Sequence, residues 1–116
     1  MTREFIRLFE FEKQCKHIGL SEDDVMEIEN RILENPYGGD MIRGTGGIRK
    51  LRIVLPCRGK RGGARVVYVD FASFHKTYLL AAFAKRDIDN LNQAERNELK
   101  ELVGTLKYEL RKKGEK

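Results

Sequence analysis

Between residues 48 and 84 three apolar, β-branched runs follow one another with no helical stretch between them: Ile48–Leu55, Ala64–Phe71 and Thr77–Ala84. Ile, Val, Leu and Tyr at this density favour a pleated sheet, and Pro56 limits the first run. Glycine-rich or short polar segments separate the runs, the last turn spanning Ser73 to Lys76. Successive strands joined by short connections pair antiparallel. The runs therefore predict a meander, and whatever else the chain forms must pack on it.

The flanks supply the other elements. Phe5 to Phe9 reads as a short first strand, although Phe5, Ile6, Leu8 and Phe9 are too dense to fix its phase. Glu10 to His17 reads as a brief helix stopping at Gly19, a position suited to positive φ. Ser21 followed by Asp24 forms a capping-box pattern, and Val25, Ile28, Ile32 and Leu33 recur at helical spacing until Asn35-Pro36. Tyr37-Gly38-Gly39-Asp40 reads as a turn. Asn92 and Glu95 make another capping pattern, after which Leu99, Leu102, Val103, Leu106 and Leu110 trace one apolar stripe expected to lie on the sheet. The expectation is an α+β fold: an antiparallel sheet of three to four strands, two N-terminal helices and a C-terminal helix. With 116 residues, one domain covering 1–116 accounts for the chain.

Charge narrows the function. Residues 1–40 hold five Lys+Arg against ten Asp+Glu, residues 41–69 eight against none, and residues 70–116 ten against eight. A carboxylate-free stretch cannot neutralise itself, so its field is directed outward, and nucleic acid is the natural target. No apolar run approaches the roughly 20 residues that cross a bilayer, and Met1 to Glu12 lacks a signal-peptide core; a cytoplasmic protein without a membrane partner is expected. Cys15 and Cys57 lie too far apart for a metal or redox motif, and both are expected as reduced thiols. His17 and His75, the only histidines, belong to no ligand cluster, so neither metal nor other cofactor is expected. No dinucleotide fingerprint or P-loop is present.

Lys50 and Arg52 are two apart on the first of these runs and leave the same face of the sheet, whereas Arg49 points the other way. Arg65 on the next strand joins them if the register allows, and Lys85 and Arg86 follow the third. Arg58, Lys60 and Arg61 make the intervening loop basic. An arbitrary surface lysine or arginine is ordinarily just a solvated charge; here the missing carboxylates favour a phosphate-binding cluster, with Arg49, Arg58, Lys60 and Arg61 as added RNA contacts. Gly44, Gly46, Gly47, Gly59, Gly62 and Gly63 permit close backbone approach to a ligand, although plain turn roles account for many of them. Tyr68 and Tyr78 are candidates for chemistry, with core packing the more ordinary role.

The runs Gly44-Thr45-Gly46-Gly47-Ile48-Arg49-Lys50-Leu51-Arg52, Gly59-Lys60-Arg61-Gly62-Gly63-Ala64-Arg65-Val66-Val67-Tyr68 and Leu79-Leu80-Ala81-Ala82-Phe83-Ala84-Lys85 resemble the RelE/HigB toxins of bacterial type II toxin–antitoxin modules, most closely the HigB branch. The resemblance implies a compact microbial RNase fold and metal-independent cutting of mRNA in the A site of the 70S ribosome. It also implies neutralisation by a cognate helix-turn-helix antitoxin, with operator DNA contacted only through that antitoxin. By position, Lys50 or Arg52 would serve as base or phosphate clamp, Arg65 would hold the transition-state phosphate, and Lys85 or Arg86 would stabilise or protonate the leaving oxygen. The archetype's base-stacking Tyr has no counterpart, since Asn90-Leu91-Asn92 occupies that region. A ParE-like gyrase inhibitor and a non-catalytic RNA- or ribosome-binding translation inhibitor are the alternatives.

Overall fold

A computed structural model describes residues 2–54, 63–84 and 91–114. The order is β1 (Glu4–Arg7), α1 (Phe9–His17), α2 (Glu22–Glu34), β2 (Asp40–Met41), β3 (Arg49–Ile53), β4 (Ala64–Phe71), β5 (Lys76–Ala84) and α3 (Gln93–Gly114). The strands form one sheet in the order β1-β5-β4-β3-β2. The expected meander is β3-β4-β5, all antiparallel. Two short strands extend it: β1, the expected first strand, pairs parallel with β5, and β2, which takes the sheet one beyond the expected three to four strands, pairs antiparallel with β3. The sheet is therefore five-stranded and mixed.

Local chemistry explains the boundaries. Ser21 caps α2 reciprocally: its Oγ accepts from the Asp24 N–H at 3.1 Å, while the Asp24 carboxylate accepts from the Ser21 N–H at 2.8 Å. Asn92 and Glu95 do the same for α3 at 2.8 and 3.0 Å. Gly19 ends the first helix with φ +82°, as its position predicts. Leu8 ends the first strand and Phe9 opens α1 instead of continuing β1, which leaves its ring 82% exposed.

Sheet alternation sends the apolar side chains into two cores. On one face Ile53, Val66, Tyr68, Leu79 and Ala82 meet Phe11 and Cys15 of α1 and Val25, Ile28 and Ile32 of α2. On the other, Ile42, Ile48, Val67, Val69, Phe71, Tyr78 and Leu80 meet Val103 and Leu110 of α3. Tyr68 and Tyr78 thus belong to the two cores. Cys15 is a buried free thiol, pushed by burial up to about 11; Cys57 lies outside the described residues. Val67 pairs with Ala81 but Tyr68 with Leu79, so Leu80 is an extra residue on β5, a bulge that lets adjacent residues serve the same core. No described helix is long and apolar enough to cross a membrane.

Gly63 opens β4 at φ +58°, and a Cβ there would lie 1.8 Å from the Ile53 carbonyl oxygen. Strain and collision together predict that Gly63→Ala lowers stability by about 2 kcal/mol or more, read as an earlier urea midpoint with an unchanged slope.

Candidate functional site

The register settles which basic side chains meet. Arg52 pairs directly with Arg65, and Arg65 with Phe83, so the three lie in one row across β3, β4 and β5. Lys50, Val67 and Ala81 make the adjacent row. Directly paired residues share a face; because Val67 packs into the α3 core, Lys50, Arg52 and Arg65 lie on the α3 side of the sheet. Arg58, Lys60, Arg61, Lys85 and Arg86 lie outside the described residues.

Arg49 projects to the opposite face, as alternation requires. Its Nη1 donates to the Gly39 carbonyl at 2.8 Å and more weakly to that of Tyr37 at 3.4 Å, and the guanidinium stands 5.2 Å from the centre of the Tyr37 ring. Its visible work is to fasten the turn that follows α2. Tyr68 fastens the same turn from below, its hydroxyl donating to the Pro36 carbonyl at 2.8 Å and accepting from the Gly39 N–H at 3.2 Å. Burial raises the Tyr68 phenol above its ordinary value, consistent with a neutral structural group.

The glycine cluster is likewise architectural. Thr45, fully buried, donates through Oγ1 to the Ile42 carbonyl at 2.7 Å and accepts from the Ile48 N–H at 3.2 Å. Gly44, Gly46 and Gly47 take positive φ around it. A Cβ on Gly46 would meet Val103 at 3.6 Å and Lys100 at 4.0 Å, so the loop seats against α3 and orients β3 beneath that helix.

Electrostatically the Arg52–Arg65 row is unusual. Like charges directly opposed across a ladder repel, and neither arginine has an ion pair among the described residues. Arg65 Nη1 is moreover buried without a hydrogen-bond partner among the described residues. A second such atom is Arg96 Nε. Arg96 stands one turn before Lys100, on the side of α3 that meets the glycine loop. Sequence reading missed it because its capping context and charge resemble an ordinary helix surface; its place one turn ahead of the apolar stripe was the available signal. A cleft of about 300 Å³ adjoins these rows, lined by Val67, Ala81, Phe83, Leu99, Leu102 and Glu98 among others. Asp40 is a further omission: it pairs with Lys50 and so shares the basic face. It lies just before the carboxylate-free stretch, and only the pairing reveals its proximity.

Arg65 Nη1, without a partner among the described residues and set beside the opposed Arg52, is a donor that an anion can satisfy. No group of three His, Cys, Asp or Glu side chains among the described residues is arranged to hold a metal ion. The E. coli toxin RelE, in a double arginine-to-alanine mutant in the free state, is similar in structure, with a TM-score of 0.54 and 14% identity over 74% of this chain and 86% of that one. That likeness is one of fold. A family model described as the RelE toxin of the RelE/RelB toxin–antitoxin system matches residues 5–114, and the chain accordingly belongs to the RelE toxin family.

Proposed function

We propose that this toxin is a ribosome-dependent endoribonuclease that cuts mRNA in the A site and so halts translation. The observation that carries the reading is the Arg52–Arg65 pair, with Arg65 Nη1 buried and unpartnered among the described residues. A phosphodiester placed between the two guanidiniums relieves their repulsion and supplies the missing acceptor. In cleavage by the neighbouring 2′-hydroxyl, negative charge grows on the phosphoryl oxygens, and donors fixed in advance stabilise it. Arg65 holds that charge, Arg52 and Lys50 clamp the strand, and Lys85 or Arg86 stabilises the charge on the leaving oxygen. Arg58, Lys60 and Arg61 contribute RNA contacts from the basic loop, and Arg49 supports the site from behind.

Such chemistry needs no metal. The G-T-G-G-x-R-K-L-R run supports placement in the HigB branch. The partners that follow are the 70S ribosome with its mRNA and a cognate helix-turn-helix antitoxin, through which alone operator DNA is reached; the site of action is the cytoplasm.

The test is to incubate purified protein with programmed ribosomes and to map mRNA ends by primer extension, with free mRNA alongside. Cuts confined to ribosome-bound mRNA are expected. Arrested translation with intact mRNA would replace catalysis by occupancy of the ribosome. Inhibition of gyrase with translation untouched would favour the ParE-like alternative.

A further inference from the structure

We propose that Asp40 is the general base that takes the proton from the attacking 2′-hydroxyl. The inference rests on the RNA-cleavage reading above and names the group that reading lacks. Lysine and arginine are cations near neutrality and must lose a proton before they can accept one, whereas a carboxylate accepts directly.

Among the described residues the α3 face of the sheet carries two strand carboxylates. Glu4, on β1 at the far edge, is tied to Lys76, which holds its carboxyl below the usual range. Asp40 is exposed, in no ion pair that the described residues show, and pairs directly with Lys50. Directly opposed residues place their Cβ atoms about 4.5–5.5 Å apart and diagonal ones about 7–8 Å. Asp40 thus lies directly across from Lys50 and one diagonal from Arg52, and it meets the 2′-oxygen when the phosphate that Arg52 and Arg65 hold sits on the β2 side of Arg52.

The scaffold beneath Asp40 fixes that place. Gly39, its neighbour, gives its N–H to Tyr68 and its carbonyl to Arg49. A Cβ on Gly39 would approach the Lys50 carbonyl oxygen to 2.8 Å, so only glycine lets the turn lie this close to β3. The buried Tyr68 and the bound Arg49 therefore hold a carboxylate on the far face against the basic row. Among the described residues, the charged groups that the strand register places beside Asp40 are Lys50, directly across on β3, and Arg52, one diagonal away; both are cations.

In the step itself the 2′-O–H proton passes to Asp40 as the 2′-oxygen forms its bond to phosphorus. The P–O5′ bond breaks, and the 5′-oxygen departs on the opposite side, where it takes a proton from water. The products are a 2′,3′-cyclic phosphate and a 5′-hydroxyl, and Asp40 returns its proton to solvent.

The experiment follows single-turnover cleavage on programmed ribosomes across pH for wild type, Asp40→Asn, Asp40→Glu and Glu98→Gln, with ribosome binding and thermal melting measured in parallel. Asp40→Asn is expected to cut about 100-fold or more slowly, to bind and melt like wild type, and to lose the fall in rate toward acid pH. Asp40→Glu should recover part of the rate together with that acid limb. Asp40→Asn cutting normally with the limb intact overturns the proposal, as does a slow variant whose defect is explained by lost binding or folding. Loss of the limb in Glu98→Gln instead assigns the base to α3 and overturns it too. If the wild type binds ribosomes but never cuts, the cleavage reading falls and Asp40's role with it, an outcome distinct from wild-type cutting that ignores Asp40.

Discussion

Arg65→Ala protein is expected to fold normally, bind ribosomes and cut mRNA about 10²–10³-fold more slowly, the loss that accompanies removal of one preorganised donor to a developing oxyanion. Arg65 faces Arg52 across β3 and β4 and keeps Nη1 buried without a partner among the described residues. Both features cost stability in the free protein, because opposed like charges repel and a buried unpaired donor forfeits its hydration. Alanine removes both costs, so the melting temperature should stay level or rise while activity collapses. That opposite movement of stability and rate is the signature of a residue kept for its ligand. Primer extension beside a thermal melt reads it; a variant that still cuts at the wild-type rate removes Arg65 from the site.

Asp70→Ala should have the largest effect on folding. The Asp70 carboxylate accepts from Arg3 Nε at 2.8 Å and Nη2 at 3.2 Å, and from Thr77 Oγ1 at 2.7 Å. The Arg3 and Asp70 side chains are only 6% and 4% exposed, and the bond to Asp70 holds Arg3 more firmly in its charged form. Removing the carboxylate strands a buried guanidinium, which typically costs about 3–5 kcal/mol. A small domain has a total stability of about 5–15 kcal/mol, so the variant should unfold far earlier in urea. By contrast the exposed Arg31–Glu27 contact, 3.5 Å within one turn of α2, is worth about 0.5 kcal/mol at most. A small midpoint shift for Asp70→Ala would mean that Arg3 swings out to water and that the pair does not anchor the N-terminal strand.

What the sequence disclosed was local. Ser21 with Asp24 and Asn92 with Glu95 announced their helices because a capping box needs residues only three apart. The bounds of β4, and very nearly those of β5, followed from β-branched runs. Alternation alone separated Arg49 from Lys50 and Arg52. The misses are non-local. β2 has two residues, follows two glycines, and exists because Arg49 and Tyr68 hold its turn against Lys50. The parallel partner of β1 stands about 70 positions downstream, and no pattern within Phe5–Phe9 encodes that choice. Within the site, the face shared by Lys50 and Arg52 was legible, while the exact opposition of Arg52 and Arg65 depends on register. The unpartnered nitrogens of Arg65 and Arg96 depend on tertiary burial, which composition does not contain.

The parallel pairing of β1 with β5 also sets the order in which the molecule can be completed. Glu4 waits for Lys76, and Arg7 for Leu79, so a chain emerging from the ribosome carries its first strand unpaired until two thirds of the protein has been made. Contacts of such long sequence separation form late and slowly. A nascent chain that stops before β5 would hold Arg52 and Arg65 but neither the edge that secures its N-terminus nor the helix that roofs the basic face. Completion is therefore concentrated at the end of synthesis, and interrupted translation of this toxin should yield degradable fragments instead of partial activity.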